Sequence, residues 1–221
     1  MQDDPRATFE KDGRVWLRGV IPDCDLARLD RMAGTGERPG ERLAISDALS
    51  DILSEGRPIL SAVSRIESKA RPVRVVAFNK TAGTNWGLPW HQDRVITVDR
   101  RAEVDGYTNW TRKAGIWHCE PPTELLSRML FVRIHLDDSD PGGGGMEIAV
   151  GSHSRGIVPA ADAASVAEEY PIEGCTAQRG DVVVLKMLTL HRSAPSKRDT
   201  NRRVLRVDFA PFALPIPLRW A

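Results

Sequence analysis

The chain has 221 residues, 41% of them hydrophobic, and its 31 basic residues nearly balance 30 acidic ones. The length suits one all-β domain, and the apolar content is enough for a full core. The balanced charge excludes a basic footprint for nucleic acid or an anionic membrane surface, and no run of about 18 apolar residues predicts a membrane span.

The N-terminal segment MQDDPRATFEKDG is charged and lacks the apolar region of a signal peptide. The three cysteines, Cys24, Cys119 and Cys175, are odd in number and widely spaced. This pattern fits free thiols in a reducing compartment better than a disulfide framework. We therefore expect a cytoplasmic protein.

The first third of the chain is predicted to be mainly helical. A short strand in GRVWLRGVI is followed by amphipathic helices in PDCDLARLDRMA and AISDALSDILSE and by a further helix after them. The stripes expected to face the core are Leu26, Leu29 and Ala33, then Ile45, Leu49, Ile52 and Leu53, then Ile59, Leu60, Val63 and Ile66.

From Val73 the pattern changes to short strands separated by glycine and proline. The candidate strands are PVRVVAF, HQDRVITV, MLFVRIHL, MEIAV, DVVVLKM and RVLRVDFA, with one helical insert, AADAASVAEEY. Asp99 to Pro122 is predicted as a long loop, and its aromatic residues suggest a lid over a site.

Helices followed by many short strands predict a mainly β fold, a double-stranded β-helix (a jelly roll, cupin-like) with flanking N-terminal α-helices. We expect one domain over residues 1–221, with a helical buttress of about residues 1–70 and a β-helix core of about 71–212.

His91 and Asp93 stand two residues apart in LPWHQDRVITV, which is predicted as a strand. On a strand they would share a face, about 7 Å apart. With His191, after the strand DVVVLKM, they would give two imidazoles and a carboxylate, the facial triad of non-haem Fe(II) oxygenases. The alternative interpretation is a surface ion pair on a strand, with His191 a loop histidine.

The order of motifs resembles a known family. H-x-D, then LDD…GGGGMEIAVGSHSRG, then LHRSAPS…RRVL resembles the phytanoyl-CoA dioxygenase-like branch of the Fe(II)/2-oxoglutarate-dependent oxygenases over about Val73 to Phe209. The resemblance implies Fe(II) held by His91, Asp93 and His191, and 2-oxoglutarate and O2 as co-substrates. It also implies hydroxylation of a small organic substrate with release of succinate and CO2.

The resemblance also implies residues that bind 2-oxoglutarate. Arg202, eleven residues after His191, and Ser193 match the pattern of the branch. In NRRVLRVDFA, Arg202 and Arg206 fall on one strand face and Arg203 on the other, so Arg206 competes for the role. Arg133 would meet a carboxylate if its strand face lines the barrel, although we favour a solvent-facing position for it and for His135.

Four aromatic residues are candidates for a substrate wall, although core packing is their default role; they are Trp86, Trp110, Trp117 and His118. His153, in GSHSRG, is expected to be structural. Halogenating relatives lack the carboxylate of Asp93, so its presence points to hydroxylation or desaturation. Two rivals stay open: a cupin-like metalloenzyme of another reaction class, and a non-catalytic β-barrel that binds a small molecule. The sequence does not predict the oligomeric state.

Overall fold

The computed structural model describes residues 4–33, 40–198 and 201–221. Residues 1–3 of the predicted domain, and residues 199 and 200 of the arginine-rich segment after His191, lie outside the described residues. The α-helices in the described residues are α1 Pro5–Asp12, α2 Asp23–Ala33, α3 Asp47–Ile52, α4 Pro58–Ser64, α5 Thr123–Leu126 and α6 Ala163–Ala167.

The strands in the described residues are β1 Arg14–Leu17, β2 Gly40–Leu43, β3 Arg71–Lys80, β4 Leu88–His91, β5 Ile96–Val98, β6 Thr108–Lys113, β7 Ile116–Glu120, β8 Leu130–His135, β9 Met146–Ala149, β10 Ile172–Gly174, β11 Val182–Lys186, β12 His191–Ser193 and β13 Arg202–Ala210. They form a main sheet of order β1-β11-β8-β13-β3-β2, a second sheet of order β10-β9-β12-β4, and a third of order β5-β7-β6. The pairings are antiparallel.

The main and second sheets face each other across a shared core. Phe131 and Val183 from the main sheet belong to one buried cluster with Met146 and Ile148 from the second. The side chains of neighbouring residues on the same strands point to the opposite face of the sheet. Val132 is one of them, and it belongs to a different buried cluster that includes the helices. Since helices cover one face of the main sheet and the second sheet covers the other, the predicted jelly roll with flanking helices is confirmed.

The predicted helical stripes are buried, with one exception. Leu26, Leu29 and Leu49 face the core as expected, but Ile45 is 39% exposed. Helix α3 begins only after Ser46, whose side chain accepts a hydrogen bond from the Leu49 backbone N–H. Because Ser46 caps the N-terminus, the helix begins later than predicted and Ile45 lies outside it. Helix α1 and the edge strand β2 were not predicted.

The segment HQDRVITV is not one strand. Strand β4 ends at His91 and β5 begins at Ile96. Between them the Gln92 side chain donates to the carbonyls of Gly156 and Leu188, each at 2.7 Å, and accepts from the Val158 N–H at 2.8 Å. These bonds hold Gln92 away from any strand partner, so the prediction that His91 and Asp93 share a strand face is wrong.

Asp99 to Pro122 is also not a long loop. Strands β6 and β7 form a hairpin, and β7 pairs with β5. At its turn Ala114 and Gly115 have φ of 47° and 81°, the left-handed conformation that a tight two-residue hairpin turn requires. Alanine rarely adopts it, which is why the turn is hard to see in the sequence. A ligand-ordered lid stays a prediction.

Cys24 is exposed and Cys119 and Cys175 are buried, and all three are free thiols. Within the described part of the chain, no helix has the length and apolar character needed to cross a membrane.

Candidate metal centre

The structure brings His91, Asp93 and His191 together. Strands β4 and β12 are antiparallel neighbours, and His91 pairs directly with His191. One potential ligand atom from each of the three residues lies within 4.8 Å of the other two. Asp93 Oδ2 is 3.2 Å from His191 Nε2, and the two imidazole centroids are 4.3 Å apart. Two imidazoles and a carboxylate thus converge on one point, as the facial triad requires.

Both histidine rings are oriented by backbone carbonyls. His91 Nδ1–H donates to the carbonyl of Pro89 at 2.8 Å, and His191 Nδ1–H donates to that of Thr189 at 2.9 Å. Each Nε2 is left free for a metal ion. Burial lowers the pKa of His91, and the neighbouring His191 lowers it further. His91 is therefore neutral near pH 7, the form that binds metal.

Asp93 is held by an arginine from the main sheet. Arg206 Nη1 donates to Asp93 Oδ2 at 2.6 Å, and Arg206 Nε donates to Asp208 Oδ1 at 2.6 Å. Burial alone raises the pKa of Asp93, but the charge of Arg206 and the neighbouring His191 outweigh it and hold the pKa well below its usual range. The carboxylate is therefore ionised and fixed in direction.

Phe131 supports two members of this arrangement. The Arg206 guanidinium lies 4.3 Å from the Phe131 ring centroid, and that ring is 5.4 Å from the His191 imidazole. Arg206 is thus clamped by two carboxylates and one aromatic face.

A second polar group lines the barrel interior next to the triad. Arg202 pairs with Lys80 across β13 and β3, and Arg133 pairs with Arg206 across β8 and β13. Arg202 Nε and Nη1 and Arg133 Nε are buried and have no hydrogen-bond partner among the described residues. Buried charge without a partner is costly, so these arginines are candidates for binding an anion.

Lys80 is the residue of this group that the sequence prediction missed. Its Nζ donates to the carbonyl of Ala194 at 2.7 Å and to that of Gly144 and the hydroxyl of Ser193 at 3.2 Å. Burial, followed by the charges of Arg202 and Arg133, lowers its pKa to about 8. The sequence did hold a signal for Lys80. It follows the apolar run PVRVVAF by two residues, and residues two apart on a strand share a face, so Lys80 lies on the same face as Phe78.

The predicted orientations of the charged side chains on β13 are right, and those on β8 are wrong. Arg203 points away from Arg202 and Arg206, as expected, and binds Asp137 on the outer side. The solvent-facing position favoured for Arg133 and His135 is wrong, since His135 is 1% exposed and burial lowers its pKa to about 3. Arg133 is half-buried on the face of β8 that looks towards the second sheet, so it is not a freely solvated residue.

The candidate substrate residues do not form one wall. Trp86 lies beside Lys80, whose Nζ is 4.8 Å from its ring centroid. Trp110 and Trp117 meet edge to face at 6.5 Å on the β6–β7 hairpin, where His118 is buried. Their contact with substrate stays a prediction.

His153 contacts the N-terminal helix, with its Nε2 3.1 Å from the carbonyl oxygen of Glu10. This contact agrees with the structural role expected for the GSH turn.

Comparison with protein families gives a match over most of the chain. The model of the phytanoyl-CoA dioxygenase family matches residues 9–204. No curated protein matches the chain.

Several solved structures share the fold at low identity. AviO1 from Streptomyces viridochromogenes Tue57 is 20% identical, with 98% of this chain and 99% of that chain covered and a TM-score of 0.65. The non-haem α-ketoglutarate-dependent carbocyclase SnoK from nogalamycin biosynthesis is 16% identical, covering 95% and 84%, with a TM-score of 0.68. The epimerase SnoN, solved with Fe3+, α-ketoglutarate and nogalamycin RO, is 14% identical, covering 93% and 82%, with a TM-score of 0.67.

Proposed function

The chain belongs to the phytanoyl-CoA dioxygenase family, and from that premise we propose that it is an oxygenase whose Fe(II) is held by His91, Asp93 and His191. The family is one of non-haem Fe(II)- and 2-oxoglutarate-dependent enzymes, so the enzyme class follows from membership. The assignment of roles to individual residues is our proposal. The observation that carries it is the convergence of the three ligand atoms within 4.8 Å.

The donor set fits iron in type and in protonation. Each histidine offers Nε2 because its Nδ1–H is bound to a carbonyl, and Asp93 is ionised beside Arg206. Three protein ligands on one face leave coordination positions for a chelating co-substrate and for O2. This fit also argues against the non-catalytic barrel, which needs no such convergence.

The interior cations fit the distal carboxylate of 2-oxoglutarate. We assign this carboxylate to Arg202, with Ser193 and Lys80 completing the cradle. Arg202 has two unpartnered buried nitrogens, whereas Arg206 is already hydrogen-bonded to Asp93 and Asp208. A planar guanidinium can hold a carboxylate through two parallel hydrogen bonds. Arg133 adds positive charge to the same interior and favours the dianion.

Iron with 2-oxoglutarate and O2 supplies the oxidising power, coupling release of succinate and CO2 to oxidation of a C–H bond. The protein contributes by orienting the metal ligands and by shielding the site. Pro89 and Thr189 orient the imidazoles, Arg206 fixes Asp93, and the two packed sheets around Phe131 limit access of water. Hydroxylation is the outcome we propose, because Asp93 occupies the position that halogenating relatives leave open.

Succinate formation tests the class and product mass tests the outcome. Purified protein with Fe(II), 2-oxoglutarate and O2 is expected to release succinate, faster in the presence of a true substrate from a metabolite library. A product heavier by one oxygen atom supports hydroxylation. A product lighter by two hydrogens indicates desaturation, and an unchanged mass indicates isomerisation. Turnover of substrate without 2-oxoglutarate would favour the rival cupin-like metalloenzyme.

A further inference from the structure

A second pair of arginines lies on the interior face of the main sheet. Arg42, on the edge strand β2, pairs with Val76 of β3, and Val76 also pairs with Arg206. Arg74 stands two residues before Val76 on the same strand. Because paired residues and residues two apart share a face, Arg42 and Arg74 emerge on the face that carries Arg206.

These arginines line a pocket at the β2 edge of the main sheet. The pocket has a volume of about 660 Å³ and lies between β2 and the turn of the β6–β7 hairpin. Leu43, Ala114 and Ile116 give it apolar walls, and Arg42 and Arg74 give it two guanidinium groups. The volume is that of a site for a small organic molecule, and a few polar groups in an apolar wall are typical of such sites.

The two guanidinium groups of this pocket are only partly hydrogen-bonded, and Glu41 is an exposed carboxylate residue in the same lining. Arg74 Nη1 is 3.6 Å from Asp208 Oδ2, but Asp208 also serves Arg206 at 2.6 Å. Arg42 Nη2 donates to the backbone oxygen of Ala221 at 2.5 Å. Arg42 Nη1 and Arg74 Nε have no hydrogen-bond partner among the described residues. Each arginine thus keeps at least one guanidinium nitrogen without a partner, which an external anion could take.

The charges of Arg42 and Arg74 also act on His118, a residue of the β6–β7 hairpin opposite them. His118 on β7 is buried, and its Nδ1–H donates to the carbonyl of Ile116 at 3.1 Å. Burial lowers the pKa of His118, and the charges of Arg74, Lys113 and Arg42 lower it further. The imidazole is therefore neutral near pH 7, and it adds no cation to repel or attract a ligand.

We propose that Arg42 and Arg74 form an oxyanion subsite for the substrate, so that the oxidised molecule carries a carboxylate or phosphate group bound by both guanidiniums. This inference rests on the proposed function, because it assigns the bound anionic group to the substrate that the triad would oxidise. Arg74 connects the two sites, since it contacts Asp208, which holds Arg206, which in turn holds Asp93.

Calorimetric titration under anaerobic conditions tests the subsite. Benzoate, phenyl phosphate and neutral benzamide are each titrated into protein saturated with Fe(II) and 2-oxoglutarate. One of the anions is expected to bind at least about tenfold more tightly than benzamide, a difference of about 1.4 kcal/mol. The tighter of the two anions identifies the group as a carboxylate or a phosphate.

Variants locate the binding site. Arg42→Gln and Arg74→Gln are each expected to weaken binding of the preferred anion by about tenfold or more. Arg65→Gln, a change of equal charge at the exposed end of α4, is expected to leave it unchanged. Benzamide binding as tightly as both anions, absence of anion binding, or full binding by both pocket variants overturns the proposal.

The comparison of probes on the wild-type protein stands even where a variant does not fold. The absorption band of the Fe(II)–2-oxoglutarate complex is recorded on the same samples. Its absence from the wild type counts against the proposed function, whereas a normal band without anion selectivity counts against the subsite alone.

Discussion

Arg206 and Asp93 are joined by a 2.6 Å hydrogen bond from guanidinium Nη1 to carboxylate Oδ2, although they are 113 residues apart in the chain. The same guanidinium binds Asp208 through Nε at 2.6 Å. Arg206, which the sequence offers as a competitor for binding the co-substrate, is therefore already hydrogen-bonded to two carboxylates, one of them Asp93 of the candidate metal centre. Arg202 lies four residues earlier on β13, and its Nε and Nη1 have no hydrogen-bond partner among the described residues.

Arg206→Leu is expected to lower Fe(II) affinity by about 10- to 100-fold, the usual cost of removing a partner that orients a metal ligand. Asp93 would lose its cation, and its pKa would rise towards the value that burial favours. Fe(II) titration followed by calorimetry measures the change, with Arg206→Lys as a variant that keeps the charge. Unchanged iron affinity in Arg206→Leu would mean that Asp93 needs no support from the main sheet.

Arg202→Leu is expected to raise the Michaelis constant for 2-oxoglutarate by about 10- to 100-fold, as for loss of a charge-assisted contact worth about 1.5–3 kcal/mol. Iron affinity should stay the same, since Arg202 is not a ligand. Arg203→Leu is the matched control, because Arg203 points outward to Asp137. If Arg206→Leu abolishes the 2-oxoglutarate dependence and Arg202→Leu leaves it intact, the co-substrate has been assigned to the wrong arginine.

The lowered pKa of Lys80 predicts that 2-oxoglutarate binding depends on pH. Burial lowers its pKa to about 8 in the free protein, while a bound dianion favours the protonated amine. Above pH 8 the neutral amine must take up a proton on binding, so affinity falls as pH rises, by at most about tenfold per unit. Below pH 8 the amine is already charged and this dependence disappears.

Measuring the dissociation constant of 2-oxoglutarate by calorimetry from pH 7 to 9.5 tests this dependence. Lys80→Met should weaken binding at pH 7 and flatten the profile above pH 8. Lys69→Met, at an exposed position, should keep the wild-type profile. A profile that falls equally in wild type and Lys80→Met would assign the proton to another group.

The β6–β7 hairpin is expected to act as a lid that ligands stabilise. Its tip carries Arg112 and Lys113, both exposed and both sites for trypsin. Cleavage there should slow when Fe(II), 2-oxoglutarate and substrate are added, because a closed hairpin offers fewer extended conformations. Equal rates under all conditions would make the hairpin a rigid wall, as its pairing with β5 allows.

The sequence predicts most of the fold and names the three residues that the structure brings together at the candidate metal centre, but it does not show how they meet. Strands such as β8, β11 and β13 are visible because apolar residues dominate them. The break after His91 is invisible because it depends on hydrogen bonds from Gln92 to Gly156 and Leu188, far along the chain. Local pattern cannot report such partners.

The residues that the sequence missed share a cause. Lys80, Arg42 and Arg74 are charged residues, for which a solvated position is the default, and Lys80 ends β3 while Arg42 lies on the edge strand β2. Only the pairing of β3 with β2 and with β13 shows that these three residues face the interior. The assignment of Arg133 to solvent failed in the same way, because the sequence does not show that both faces of the main sheet are covered.

The central claim is that His91, Asp93 and His191 form one iron site that binds 2-oxoglutarate. The most direct test is an anaerobic titration of Fe(II) and then 2-oxoglutarate, followed by visible absorption. The wild type should bind one iron per chain and develop the weak metal-to-ligand charge-transfer band, while His91→Ala and His191→Ala should fold normally and show no band. His153→Ala, a histidine outside the site, should retain it. A full band in His91→Ala, or iron bound by the wild type without any band, would contradict the account.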